Sequence, residues 1–150
     1  MKKFKFSLES LLRYKTHMEH IAKQETATAR ASVNQCKERI DQCRDNIATT
    51  TKTLVKETEK GIKMERYKIH TDFLEGSERE AEYLLGELVN LNQILSQKQD
   101  ILKQKSIEKK TIENLKDKKK DEYYKEMDKF LQKQTDDMII VKKSREMGNF

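Results

Sequence analysis

Apolar and small residues recur along the first third of the chain in alternating steps of four and three. Ala22, Thr26, Ala29, Val33, Cys36, Ile40, Cys43, Ile47, Thr50 and Leu54 hold this 3.5-residue period over more than four heptads. Such a period predicts a helix that lays one seam against another helix in a left-handed coiled coil. Upstream, Leu8, Leu11, Leu12, Met18, Ile21 and Ala22 give an apolar helical face, and Ser7 is the expected N-cap. After Glu65 a second periodic stretch begins. Leu84, Leu88, Leu91, Leu95 and Leu102 form one row, and Ile94, Ile101, Ile112 and Leu115 an adjacent one. Tyr123, Met127, Phe130, Gln134 and Met138 carry the four-three spacing further.

Between the two stretches lies Glu59-Lys60-Gly61-Ile62-Lys63-Met64. Gly61 is the first glycine, and the chain has no proline. Gly76 and Gly86 each weaken a helix by about 1 kcal/mol relative to alanine without ending it. The expected fold is therefore all-α: a single antiparallel two-helix coiled-coil hairpin. Residues 1–150 form one domain, with a first helix over about 6–58, a turn over about 59–64 and a second helix over about 65–144. Folding about Gly61 brings Leu54 to the Tyr67–Ile69 region, Ala22 to Ile101, and Phe6 to about Leu115–Lys119. The longer second helix then overhangs at the open end, leaving Tyr123, Tyr124, Phe130 and Met138 without intrachain cover. An amphipathic helix with an uncovered apolar stripe implies a partner.

Composition narrows the class. Of 150 residues, 39% are charged and 35% hydrophobic, with no tryptophan. High charge and low hydropathy also mark disordered chains, but the sustained heptads argue for helix. The seam is made of small residues that let two backbones approach closely and bury little area each. Thr49-Thr50-Thr51 is a β-branched run of below-average helix propensity just before the turn. No run of about 18 apolar residues is present, so no membrane-spanning helix is expected. Met1-Lys2-Lys3-Phe4 has a basic start, but polar residues break up Phe6, Leu8, Leu11 and Leu12, so no signal core follows. A cytoplasmic location is the expectation.

Candidate chemistry is sparse. There is no phosphate-binding glycine loop, G-x-S-x-G, HExxH or CxxC. His17 and His20 supply half a zinc site at most. Cys36 and Cys43 lie seven apart, roughly 10 Å along a helix at 1.5 Å per residue, too far for a disulfide. They read as small apolar seam residues. We expect no enzyme activity, no cofactor and no metal.

The net charge of +6 is unevenly spread. Lys2, Lys3, Lys5, Arg13 and Lys15 open the first helix, and Lys116-Asp117-Lys118-Lys119-Lys120 lies within a lysine-rich part of the second. A hairpin sets both at one end. Long-range attraction would steer such an end onto an acidic protein surface. Interspersed Asp100, Glu108, Glu113, Asp117, Asp121 and Glu122 argue against phosphate backbones, so nucleic acid is not an expected partner.

The chain resembles the FliJ family, coiled-coil components of the bacterial flagellar type III export apparatus. The resemblance rests on Phe4-x-Phe6-x-Leu8-Glu9-x-Leu11-Leu12 at the start and on Gly61-Ile62-x-x-x-Arg66-Tyr67 with Phe73-Leu74 in the middle. Near the end it rests on Leu115-Lys116-x-Lys118 with Tyr123-Tyr124 and on Gln134-x-Asp136-Asp137-Met138. It implies a two-helix stalk whose open end enters the hexameric ring of the flagellar export ATPase and stimulates it. The hairpin region would engage the membrane-embedded export gate, and export chaperones would be escorted. Association with the cytoplasmic face of the inner membrane would be peripheral, through these partners. Phe73 matches the family's gate-facing aromatic, whereas Ser77 and Glu80 depart from the usual Leu or aromatic. Charge and exposure nominate Lys2, Lys3, Lys118, Lys119, Lys120, Tyr123 and Phe130 for the ATPase ring, and the resemblance nominates Phe73 for the gate. Alternatives are the equivalent stalk of a virulence type III secretion system and a general coiled-coil scaffold or chaperone escort.

Overall fold

A computed structural model describes residues 2–149. It consists of two long helices packed antiparallel as a hairpin. Helix α1 runs Glu9–Lys60 and helix α2 runs Met64–Met147. Only 61–63 separate them. Gly61 has φ +90°, a left-handed conformation that glycine adopts without steric cost and that ends α1. Its N–H donates to the Thr58 carbonyl at 3.2 Å, closing the last turn of α1.

Helix α1 starts later than the N-cap expectation. Residues 7 and 8 form a turn, in which the Glu9 N–H donates to Phe6 O at 3.3 Å. The first helical bond runs from Leu12 N–H to Leu8 O at 2.9 Å. The cap position is therefore Leu8, and Ser7 stands outside the helix. The threonine run does not interrupt α1. Thr51 and Thr53 hydroxyls donate back to Ile47 and Thr49 carbonyls at 2.7 and 3.0 Å, which satisfies them within the helix.

By contacts the chain divides into one unit of residues 20–104 and another of 1–19 with 105–150. The unit 20–104 contains the turn and the apolar seam. Ala22, Val33, Cys36, Ile40 and Cys43 are buried on α1. They face a stripe on α2 in which Leu84, at 1% exposure, is the most deeply buried side chain. Ala81, Leu88 and Leu91 pack around the cluster of Cys36, Ile40, Cys43 and Leu84. Small residues bring the backbones together here. Thr26 Oγ1 donates to Lys98 O at 3.2 Å as well as to its own Ala22 O at 2.8 Å. Cys36 Sγ donates to Leu84 O at 3.4 Å. The α2 stripe also includes Ser77, buried at 8% exposure. Ile94 and Ile101, expected as an apolar row, are instead exposed.

The unit of 1–19 and 105–149 has a different seam. Glu19 is buried and accepts from Lys109 Nζ at 3.5 Å. Lys15 Nζ lies 2.9 Å from Glu108 Oε2, and Lys116 Nζ 2.9 Å from Glu9 Oε2. Here charged side chains occupy the positions that small apolar residues hold in the other unit. Their aliphatic stems cover the interface while their heads pair at its edge.

Candidate partner-binding surfaces

Two regions hold the residues singled out from the sequence. The first lies in the unit of 1–19 and 105–149. Before α1 begins, a non-helical segment carries Phe4 onto α2, with its ring centroid 5.6 Å from that of Tyr123. The Tyr123 hydroxyl donates to the Lys2 carbonyl at 2.5 Å, and Tyr124 packs edge-on beside Tyr123. Tyr123 is thus half-buried. Its expected lack of intrachain cover is corrected, because the N-terminal segment reaches about a turn farther along α2 than a helix starting at residue 6 would suggest. Tyr124, Phe130 and Met138 are exposed, as is every residue from 128 to 149.

The lysines surround this join. Lys2, Lys3, Lys118, Lys119 and Lys120 are all exposed, and Lys119 pairs with Glu122 at 3.4 Å. The structure brings Lys2 to Tyr123 and leaves Phe130, at 43% exposure, on the bare part of α2. Sequence reasoning singled out Met138 but overlooked Leu131 and the Ile139-Ile140-Val141 that continue the run from Met138, all exposed. The run itself was a visible signal, since four consecutive apolar residues cannot all face one seam.

The second region belongs to the unit of 20–104. Phe73 is exposed on α2, and Ile69, four residues earlier on the same face, is more so. Met64 and Tyr67 add exposed apolar surface on the first turn of the helix. Ser77 does not belong to this surface, because it is buried in the seam. Glu80 instead pairs with Arg39 of α1 at 3.6 Å. The departure noted at those two positions therefore falls on the interhelical contact for Ser77 and on its margin for Glu80.

The turn beneath this surface is braced. Arg66 donates to Glu57 through Nε at 2.9 Å and Nη2 at 2.6 Å. His70 Nε2 lies 3.1 Å from the same carboxylate. The hydrogen bonds from Arg66 hold the Glu57 carboxyl below its usual range against the opposing effect of desolvation, and a smaller contribution from His70 adds to the lowering. The Arg66 guanidinium is correspondingly pushed up.

Among the described residues, no group of three or more His, Cys, Asp or Glu side chains could hold a metal ion. Burial raises the Cys43 thiol and the Glu80 carboxylate raises it further, so it stays neutral and a poor nucleophile. A groove of about 580 Å³ between α1 and α2, floored by Ile21, Leu91 and Ile94, is open to solvent. Among the described residues no helix is long and apolar enough to cross a membrane.

The family model described as flagellar FliJ protein matches residues 4–148. The chain belongs to the FliJ family. No curated protein and no solved structure matches it. Membership implies a component of the flagellar export apparatus, in a family that is structural and not catalytic. For this FliJ-family chain the match spans both helices, the turn and the bare part of α2, and leaves out Lys2 and Lys3.

Proposed function

We propose that this protein is the non-enzymatic stalk of the flagellar export apparatus, a single coiled-coil domain that binds and stimulates the ring-shaped export ATPase and links it to the export gate. The observation that carries the reading is the bare end of α2. A helix that continues past its intrachain cover, with exposed apolar side chains and exposed lysines at its base, is built to be received by something else. Lys2, Lys3, Lys118, Lys119 and Lys120 steer that end onto an acidic ring. Phe130 enters the contact, and Tyr123 acts by anchoring the N-terminal segment that bears Lys2 and Lys3.

In the unit of 20–104, Phe73 and Ile69 offer an apolar face to the export gate, held in place by the Glu57–Arg66 brace. Export chaperones are further partners, and nucleic acid is not one. The protein works at the cytoplasmic face of the inner membrane, held there by its partners. The test is the ATP hydrolysis rate of the cognate export ATPase titrated with this protein. A saturating rise is expected, and the Lys118→Glu/Lys119→Glu/Lys120→Glu variant should bind more weakly with unchanged helicity. An active ATPase that shows no rise at micromolar excess would remove the stimulator role.

A further inference from the structure

Past its last ion pair with α1, helix α2 is met by the segment that precedes α1. Among the described residues, Lys116 with Glu9 at 2.9 Å is the last ion pair or hydrogen bond between the two helices. From 117 to 149, only Tyr123 and Met127 are partly shielded from solvent among the described residues. The non-helical residues 2–6 reach this point. The Phe4 ring lies against Tyr123, and the Lys2 carbonyl accepts from the Tyr123 hydroxyl.

The contact falls where α2 is weakest as a helix in its own right. Residues 117–124 include Asp117, Asp121 and two adjacent tyrosines, all of modest helix propensity. Lys119 and Lys120 stand three and four residues after Lys116, like charges that oppose the helix. The exposed Lys119–Glu122 pair offsets little of this. Better helix formers follow from Lys125 to Gln134, but Thr135-Asp136-Asp137 and Ile139-Ile140-Val141 do not extend them. Cut off from the rod, that better stretch is shorter than the roughly 12–15 residues an isolated helix needs. A fixed point at Tyr123 carries the helix across the weak stretch into the better one.

We propose that residues 2–6 are a latch on α2. With Phe4 seated on Tyr123, the helix continues through 117–124 into the bare end. With Phe4 released, the helix unwinds from Lys116 onward. The latch couples two groups that lie 121 residues apart in sequence. Such coupling is reciprocal, so loosening 117–124 also frees residues 2–6. The device stands whatever receives the bare end, because it lies wholly within the unit of 1–19 and 105–150.

Residue-resolved NMR of the full-length protein tests the latch without a partner, so its failure and the failure of the ATPase reading are seen separately. In Phe4→Ala, Cα shifts over 117–134 should move toward coil and amide protection there should fall severalfold, while residues 20–104 keep wild-type values. Phe4→Tyr, which keeps a ring, should restore both. From the other side, Asp121→Gly alters neither Phe4, Lys2 nor Tyr123, yet trypsin should cut after Lys3 and Lys5 faster than in the wild type. Wild-type shifts and protection over 117–134 in Phe4→Ala overturn the proposal. So does a loss confined to Tyr123 and Tyr124, which would make the contact local packing, and so does an Asp121→Gly chain cut at the wild-type rate.

Discussion

Arg66 forks onto Glu57 across the turn, with Nε at 2.9 Å and Nη2 at 2.6 Å from the two carboxylate oxygens. The two residues sit on opposite helices, nine apart in sequence, so the contact closes the hairpin at its tightest point. The planar guanidinium meets the carboxylate with two parallel bonds, a geometry lysine cannot reproduce.

The brace should weaken in acid. Glu57 is held below its ordinary value, chiefly by Arg66, so folding favours its charged form. Its contribution is complete at pH above the unfolded carboxyl value of 4.5 and is lost as pH falls through the lower folded value. Thermal melts of the wild type and of Glu57→Gln should differ near neutral pH and converge in acid. A gap that stays constant from neutral pH down through the acid range would show that the brace adds nothing to stability.

Glycine substitutions should split by sign. Gly61 has φ +90° with nothing within 4 Å of an added Cβ, so backbone strain alone decides. Gly61→Ala should cost about 1–2 kcal/mol. Gly76 and Gly86 lie inside α2 with open space around an added Cβ. Gly76→Ala and Gly86→Ala should each stabilise by about 0.5–1 kcal/mol. Urea unfolding of the three variants checks this, and stabilisation by Gly61→Ala would show that the turn tolerates another conformation.

Much of this fold was legible in the sequence, and the unread part has a physical cause. The α1 seam from Ala22 to Leu54 was readable because every position in it is small or apolar at a constant period. Its counterpart on α2 passes through Ser77, Ala81, Lys98, Lys105, Lys109 and Lys116, which hydropathy does not mark as interior. Lysine stems serve there as cover, and Glu19 lies buried because Lys109 meets it. Ile94 and Ile101 drew attention by hydropathy, yet helical phase turns them outward. The bare end of α2 followed from the difference in arm length, but its starting point did not. A non-helical segment before a helix has no period, so nothing in Lys2–Phe6 announced that Phe4 would reach Tyr123.

Leu84 is the place to test the apolar seam. It is 1% exposed and packs against Cys36, Ile40 and Cys43. Leu84→Ala should cost about 2–5 kcal/mol, the range for emptying a well-packed site. Leu131→Ala, on the bare part of α2, should change monomer stability by no more than about 0.5 kcal/mol. Denaturant titration of both at low protein concentration separates core from surface.

The join between Tyr123 and the N-terminal segment should be the first part of the 1–19 and 105–149 unit to open. It rests on one ring contact and one hydrogen bond to the Lys2 carbonyl. Such a join contributes little compared with helix packing, and segments of this kind open at low free-energy cost. Tyr123→Phe keeps the ring and loses the hydrogen bond, whereas Phe4→Ala loses the ring contact. Limited trypsin digestion should cut after Lys2, Lys3 and Lys5 faster in Phe4→Ala than in Tyr123→Phe, and slowest in the wild type, while α1 beyond Glu9 stays protected. The order distinguishes the two contacts. If both variants are cut at the wild-type rate, the segment is not held by Tyr123, and the lysines it carries are free to meet a partner without first being released.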